Sequence, residues 1–192
     1  MKKKNYALYL LLICLLTIFS LSMFGCKKKT SQAEVVARDF LEGTFVVQDY
    51  DNSAKVEALW ESDDIVIMDE NDSGAIGTYS DEVNKQLEEL YYGKVYNLIT
   101  DNLKSKGTLI QSRTCPFAYE YQAKSDGYTT STKSLELKET GNSTETAKTY
   151  SYTLVLEVKY DDNTVKEEKV VGSLRLVKEK DKWLVDYLEI IR

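Results

Sequence analysis

The chain contains no histidine. That absence removes imidazole general bases, serine–histidine and cysteine–histidine nucleophile pairs, and histidine-ligated zinc. Cysteine is nearly as scarce, at three residues. Cys14 lies inside an apolar N-terminal run and Cys26 stands at its end, so Cys115 is alone in the remainder. An internal disulfide and a cysteine metal cluster are therefore excluded there. Proline occurs once, at Pro116. A basic excess is also missing, since 25 lysines and arginines face 31 acidic residues. No basic surface remains to attract phosphate, which disfavours nucleic acid as a partner.

What is present begins with an export pattern. Lys2, Lys3 and Lys4 precede an apolar run from Tyr6 to Phe24, which closes on Gly25-Cys26. A cysteine after a small residue at that junction resembles the bacterial lipobox. It implies cleavage before Cys26 and attachment of a diacylglyceryl lipid to its sulfur. Met23 and Phe24 depart from the usual pattern. The alternative is an uncleaved anchor, because roughly 19 mostly apolar residues just span a bilayer. Lys27 to Lys29 on the far side of the run remove the charge asymmetry that would orient such an anchor. Residues 1–25 thus read as a signal peptide, 26–30 as a lipidated cysteine and polar tether, and 31–192 as one domain. Taking three lysines from the 25 basic residues, against 31 acidic ones, leaves the exported part at about −9. On either alternative the expected location is the extracytoplasmic face of the cell membrane.

The remaining sequence divides into helices followed by strands. Ser31 to Glu34 has capping-box spacing, and Val36, Phe40, Gly43, Val47 and Tyr50 form a stripe that predicts a helix from about Gln32 to Gln48. A short helix through Val56, Leu59 and Trp60 comes next, then a brief strand at Ile65–Met68. Val83, Leu87, Leu90 and Leu98 predict a long third helix, capped by Ser80 or Thr78 and ending near Lys104 to Gly107. Cys115, Phe117, Tyr119, Tyr121 and Ala123 alternate with more polar residues and predict a strand. With a Ser125-Asp126-Gly127 turn, that strand sets Phe117 opposite Leu135. The block from Tyr150 to Ile191 reads as three antiparallel strands. Tyr150, Tyr152, Leu154, Leu156, Val158 and Tyr160 fall on one face of its first strand. Its last strand is apolar on both faces, and Gly172 reads as a bulge or bend in its middle one.

The order helix, helix, short strand, long helix, antiparallel meander resembles the NTF2-like superfamily, an α+β cone in which a curved sheet wraps around helices. Gln32 to Leu41 and the close Gly172 to Asp186, with a charged turn before Trp183, carry the resemblance. It implies that tyrosines on the inner sheet face line an apolar pocket, and that an enzyme of this kind would use a pocket carboxylate, here Asp186 or Asp39. It fixes no activity, because this superfamily includes both enzymes and binding modules.

Two further constellations stand out. Asp69-Glu70-Asn71-Asp72-Ser73-Gly74-Ala75-Ile76 matches the opening of a calcium loop, with oxygen ligands Asp69, Asn71 and Ser73 and a turn-forming Gly74. Ser80 stands where the bidentate carboxylate belongs, so any calcium affinity is expected to be weak; the alternative is a solvated acidic linker. The 14 tyrosines include Tyr91, Tyr92, Tyr96, Tyr119, Tyr121, Tyr150, Tyr152 and Tyr187 on predicted elements. Their rings suit either core packing or a pocket with hydroxyl handles. Cys115 is expected to be buried and inert. The reading that results is a lipid-anchored extracytoplasmic protein that binds a small apolar ligand or a cell-envelope protein, without catalysis or a resident cofactor. The alternatives are an enzyme built on a pocket carboxylate and a calcium-stabilised interaction module.

Overall fold

The computed structural model describes residues 30–61, 65–66, 78–141 and 143–191, with backbone alone at 65, 66, 78 and 79. Cys26, the signal segment and the Asp69–Asn71–Ser73 loop lie outside these residues. The chain from Gln32 onward forms one compact unit. It is a mixed α+β fold, with helices packed on a four-stranded antiparallel sheet whose strands pair in chain order.

Helix α1 (Gln32–Phe45) buries Ala33, Ala37, Phe40, Leu41, Thr44 and Phe45. The buried stripe is thus rotated from the expected one, and the two alanines let the helix approach its neighbours closely. Gly43 keeps its packing role, since a methyl there would come within 2.7 Å of Val95. Past Phe45 the backbone leaves the helix to join the sheet. The Thr130 hydroxyl donates to the Phe45 carbonyl at 2.9 Å and accepts from the Val47 amide at 2.7 Å. The Thr130 amide donates to the Val47 carbonyl at 2.8 Å. This exchange satisfies the helix end and covers part of an exposed strand edge.

Helix α2 (Asp51–Trp60) leads to a two-stranded pair, β1 (Ile65–Val66) with β2 (Thr78–Tyr79). Ser80 caps helix α3 (Asp81–Tyr92) by accepting from the Val83 amide at 3.3 Å. The long helix expected here stops at Tyr92. Gly93 takes a φ of 45°, and a side chain there would meet the Asn52 amide nitrogen at 2.8 Å. A 3-10 helix (Gly93–Leu98) continues the chain, and then Ile99 bridges to Val185 in parallel. Thr100 donates its amide to the Val185 carbonyl and caps helix α4 (Asp101–Ser105), which is succeeded by helix α5 (Thr108–Gln111).

The predicted strand at Cys115–Ala123 is helix α6 (Pro116–Asp126). Its buried residues are Pro116, Glu120 and Ala123, a helical spacing hidden beneath the aromatic alternation. The contacts expected from the strand register, Phe117 opposite Leu135, do not form. Leu135 instead pairs with Leu154. Proline in the first turn and glycine just beyond the end are the helix signals that outweigh the alternation.

Strands β3 (Tyr128–Glu139), β4 (Ala147–Tyr160), β5 (Val165–Glu179) and β6 (Lys182–Ile191) are joined as a meander. Tyr150, Tyr152, Leu154, Leu156 and Val158 of β4 are buried, as the alternation predicts, and meet Val170, Leu174 and Leu176 of β5. The two outer strands each carry one extra residue. Lys133 is unpaired between Thr132 and Ser134, and Asp186 is unpaired between Val185 and Tyr187. Each such bulge reverses the facing of the residues beyond it. Trp183 and Val185 therefore point to the core before the bulge, and Leu188 and Ile190 after it. Tyr187 and Ile191 are left 48% and 60% exposed. The two-sided apolar pattern of β6 is thus one buried face, not two.

Gly172 is not the bulge. It pairs in regular register with Tyr152 and Ile190, and the Tyr152 ring lies across it. The Tyr152 hydroxyl donates to the Glu189 carbonyl at 3.3 Å.

Candidate functional site

One corner of the sheet is built from β3, β4 and the start of β5. Strand β6 ends with Ile191 opposite Val171, whereas β3, β4 and the start of β5 continue beyond it. In these further rows Thr132, Leu156 and Glu168 align, then Thr130, Val158 and Lys166. Tyr128 and Tyr160 form the last pair, with ring centroids 5.6 Å apart. Helix α6 and the residues before it only partly cover this end. The space left is a cavity of about 710 Å³, within the range of small-ligand pockets.

Half of its lining residues are aromatic. Trp60 of α2, Tyr91 of α3, Phe117 and Tyr121 of α6 form a packed group with Phe117 at the centre, edge-on to Trp60 and tilted against the two tyrosines. Centroid distances from Phe117 are 5.8 Å to Trp60, 5.0 Å to Tyr91 and 5.7 Å to Tyr121. Tyr119 and Tyr128 complete the aromatic lining, and Tyr119 is itself braced edge-on by Phe45 at 4.8 Å. Rings held in such mutual contacts are positioned before any ligand arrives.

One buried hydrogen bond holds two of these walls together. Glu120, 7% exposed on α6, accepts from the Ser53 amide of α2 at 2.7 Å. Tyr50, at the N-cap of α2, makes no side-chain capping bond, its hydroxyl donating instead to the Tyr128 carbonyl, so Glu120 takes over the capping role from a distant element. Burial raises the carboxyl pKa of Glu120, against the lowering effect of the Ser53 and Asn52 amides. In the same interior the hydroxyls of Thr44, Ser53 and Tyr92 find no partner among the described residues.

Among the described lining residues, Arg113 is the only cation and Glu168 the only carboxylate. Arg113 sits at the end of α5 with a φ of 55°. Its amide donates to Ile110, and the Thr114 amide donates to Leu109. This is a Schellman close, a position that glycine normally fills. Arg113 is exposed and takes part in no ion pair among the described residues. Burial, followed by the negative charges of Glu168 and Asp126, raises the phenol pKa of Tyr128. Glu168, on β5, and Tyr128, on β3, line the same cavity. Cys115 also lines it, but the residue is buried, and burial pushes its thiol pKa up. Such a thiol is inert.

The carboxylates expected for catalysis lie elsewhere. Asp39 is exposed on α1 and borders a separate, shallow depression with Glu42 and Lys94. Asp186, at the β6 bulge, is 12% exposed, pairs with Arg175 and accepts from the Thr100 hydroxyl at 3.3 Å. Burial opposes its ionisation, but Arg175 with Asn102 and Thr100 carries its pKa below the ordinary value. Neither residue reaches the aromatic cavity. Among the described residues, no group of three or more acidic or cysteine side chains is placed to hold a metal ion, and no helix is long and apolar enough to cross a membrane.

The tyrosines separate into distinct roles. Tyr91, Tyr119 and Tyr121 line the cavity, whereas Tyr92, Tyr150 and Tyr152 are core residues and Tyr187 faces outward. Tyr96 packs against the core, beneath the Lys104 ammonium at 4.1 Å. Arg113, Trp60, Tyr128 and Glu168 are not singled out by their sequence context as site residues. Arg113 and Glu168 stand in polar stretches without a motif, and only the fold brings them to one cavity.

No known protein-family model matches the chain, and no curated protein matches it either. Among solved structures, the intermembrane space region of the chloroplast protein ARC6 is similar at 9% identity. The match covers 75% of this chain and 97% of that one, with a TM-score of 0.29. A likeness at that level carries neither fold nor function.

Proposed function

We propose that the protein is an extracytoplasmic lipoprotein, held on the membrane through Cys26, whose single domain binds a small apolar ligand without catalysis. The observation that carries the binding part is the cavity beside α6, about 710 Å³ with six aromatic walls. A pocket of this size, with aromatic rings interleaved with polar side chains, falls within the range of small-ligand sites. In this reading the four-stranded sheet is the wall of an NTF2-like cone, and the bulges at Lys133 and Asp186 supply its bending. The anchoring part rests on the lysine-flanked apolar run that ends at Gly25-Cys26.

The two parts are tested separately. Cys26→Ser should abolish metabolic lipid labelling and release the chain from membranes; unchanged retention refutes the anchor. For binding, the full chain in lipid nanodiscs is titrated calorimetrically with 2-naphthaleneethanol, using empty nanodiscs as the blank. Saturable heat is expected, and it should fall at least tenfold in affinity for Phe117→Ala, which removes the central ring. Absence of saturable heat refutes the cavity as a ligand site.

A further inference from the structure

We infer that the ligand of this cavity is an amphiphile with an anionic head, a carboxylate in its simplest form, and that Arg113 is the residue that receives it. The inference rests on the binding reading above and assigns the chemical class of its ligand.

The cavity is not uniformly apolar. Its one guanidinium among the described residues, on Arg113, lies at the α5–α6 connection, and its one carboxylate, on Glu168, lies on β5. These two groups are not ion-paired with each other, although both line the same space. The surrounding chain is acidic, and its other cations near the cavity are engaged. Lys124 pairs with Glu57 at 2.7 Å, and Lys166 lies over the Tyr160 ring at 4.8 Å. Arg113 is therefore the available positive group among the described residues that line the cavity of a net-negative chain.

Guanidinium geometry fits this role. Its planar fork binds a carboxylate through two parallel hydrogen bonds, which a lysine or a neutral donor cannot reproduce. The φ of 55° at Arg113 points the same way. A left-handed residue with a side chain is disfavoured where glycine would serve the Schellman close. Glu168 sets the complementary limit. Its charge, on the same lining, disfavours a second anionic group in the cavity, so a ligand with one charge is selected.

Two probes of nearly equal shape separate the charge from the apolar body: 2-naphthaleneacetate and 2-naphthaleneethanol. Both are titrated calorimetrically into the full chain in nanodiscs, for the wild type, Arg113→Gln and Glu168→Gln. The acetate should bind the wild type about tenfold more tightly than the alcohol. Arg113→Gln should remove that preference while the alcohol affinity stays unchanged, showing that the variant is folded with its cavity intact. Glu168→Gln should leave the preference in place or increase it. Equal affinities in the wild type, or a preference that survives Arg113→Gln, overturn the assignment while leaving the apolar site standing. Failure of both probes to bind overturns the site itself and the assignment with it.

Discussion

The bond from Glu120 to the start of α2 is the buried hydrogen bond between two walls of the cavity. Replacing Glu120 with alanine removes the acceptor from the Ser53 amide and also from the Asn52 amide that contributes to its pKa. A buried donor left without a partner costs about 1–3 kcal/mol, and loss of a helix cap about 1 kcal/mol. Because these contributions overlap, the expected loss is about 3 kcal/mol, or roughly 6–12 °C in Tm for a domain of this size. Glu120→Gln keeps one acceptor oxygen and should lose only about 1 kcal/mol.

The same residue predicts a pH dependence of definite sign. Its folded pKa lies above the ordinary 4.5, chiefly because burial disfavours the charged form. The folded state therefore holds this proton when the unfolded state has released it. The contribution of Glu120 is greatest below the unfolded pKa and falls as pH rises through the raised folded value. Glutamine does not titrate, so the stability difference between wild type and Glu120→Gln should narrow over that window and then level off. Urea unfolding followed by tryptophan fluorescence, at steps from acid to neutral pH, measures both effects. A Glu120→Ala variant within about 0.5 kcal/mol of the wild type, or a stability difference that widens with pH, would refute the reasoning.

Two other substitutions test the packing and the strain. Gly172→Ala places a methyl against the Glu189 carbonyl and 2.7 Å from the Tyr152 hydroxyl, so β5 and β6 must separate. A loss of about 3 kcal/mol is expected from overpacking against backbone, and calorimetric melting would detect it as a lower Tm. Arg113→Gly relieves the left-handed backbone at the end of α5 and should raise stability by about 1 kcal/mol, read as a higher urea midpoint. If Arg113 receives the ligand head, that gain comes with loss of the preference for an anionic probe.

Legibility in the sequence tracks how local the governing interactions are. Helix α2, the Ser80 cap and the buried face of β4 are readable because each depends on neighbours along the chain. Helix α6 is not, since its aromatic residues alternate like those of a strand while its buried positions, Pro116, Glu120 and Ala123, keep a helical period. The third helix reads too long because its apolar stripe runs past Gly93, where the backbone turns to a φ of 45° and leaves the helix. On β6 the mixed apolar pattern is visible, but its meaning is not. A bulge is defined by what the partner strand does, and Arg175 and Leu176 are consecutive where Tyr187 and Val185 are not.

By itself, then, the sequence determined the classes of chemistry that are closed to this protein, the helix-then-sheet order and the buried face of the central strand. It did so through composition and through periods that need no partner. Tertiary structure decided the rest. It set where each outer strand changes face, made Glu120 the cap of a helix far from it in the chain, and withdrew Asp186 and Asp39 from the cavity. It also brought Arg113 and Glu168, 55 positions apart, to one aromatic-walled space. No period along the chain records that meeting, because it depends on which helices and strands pack together.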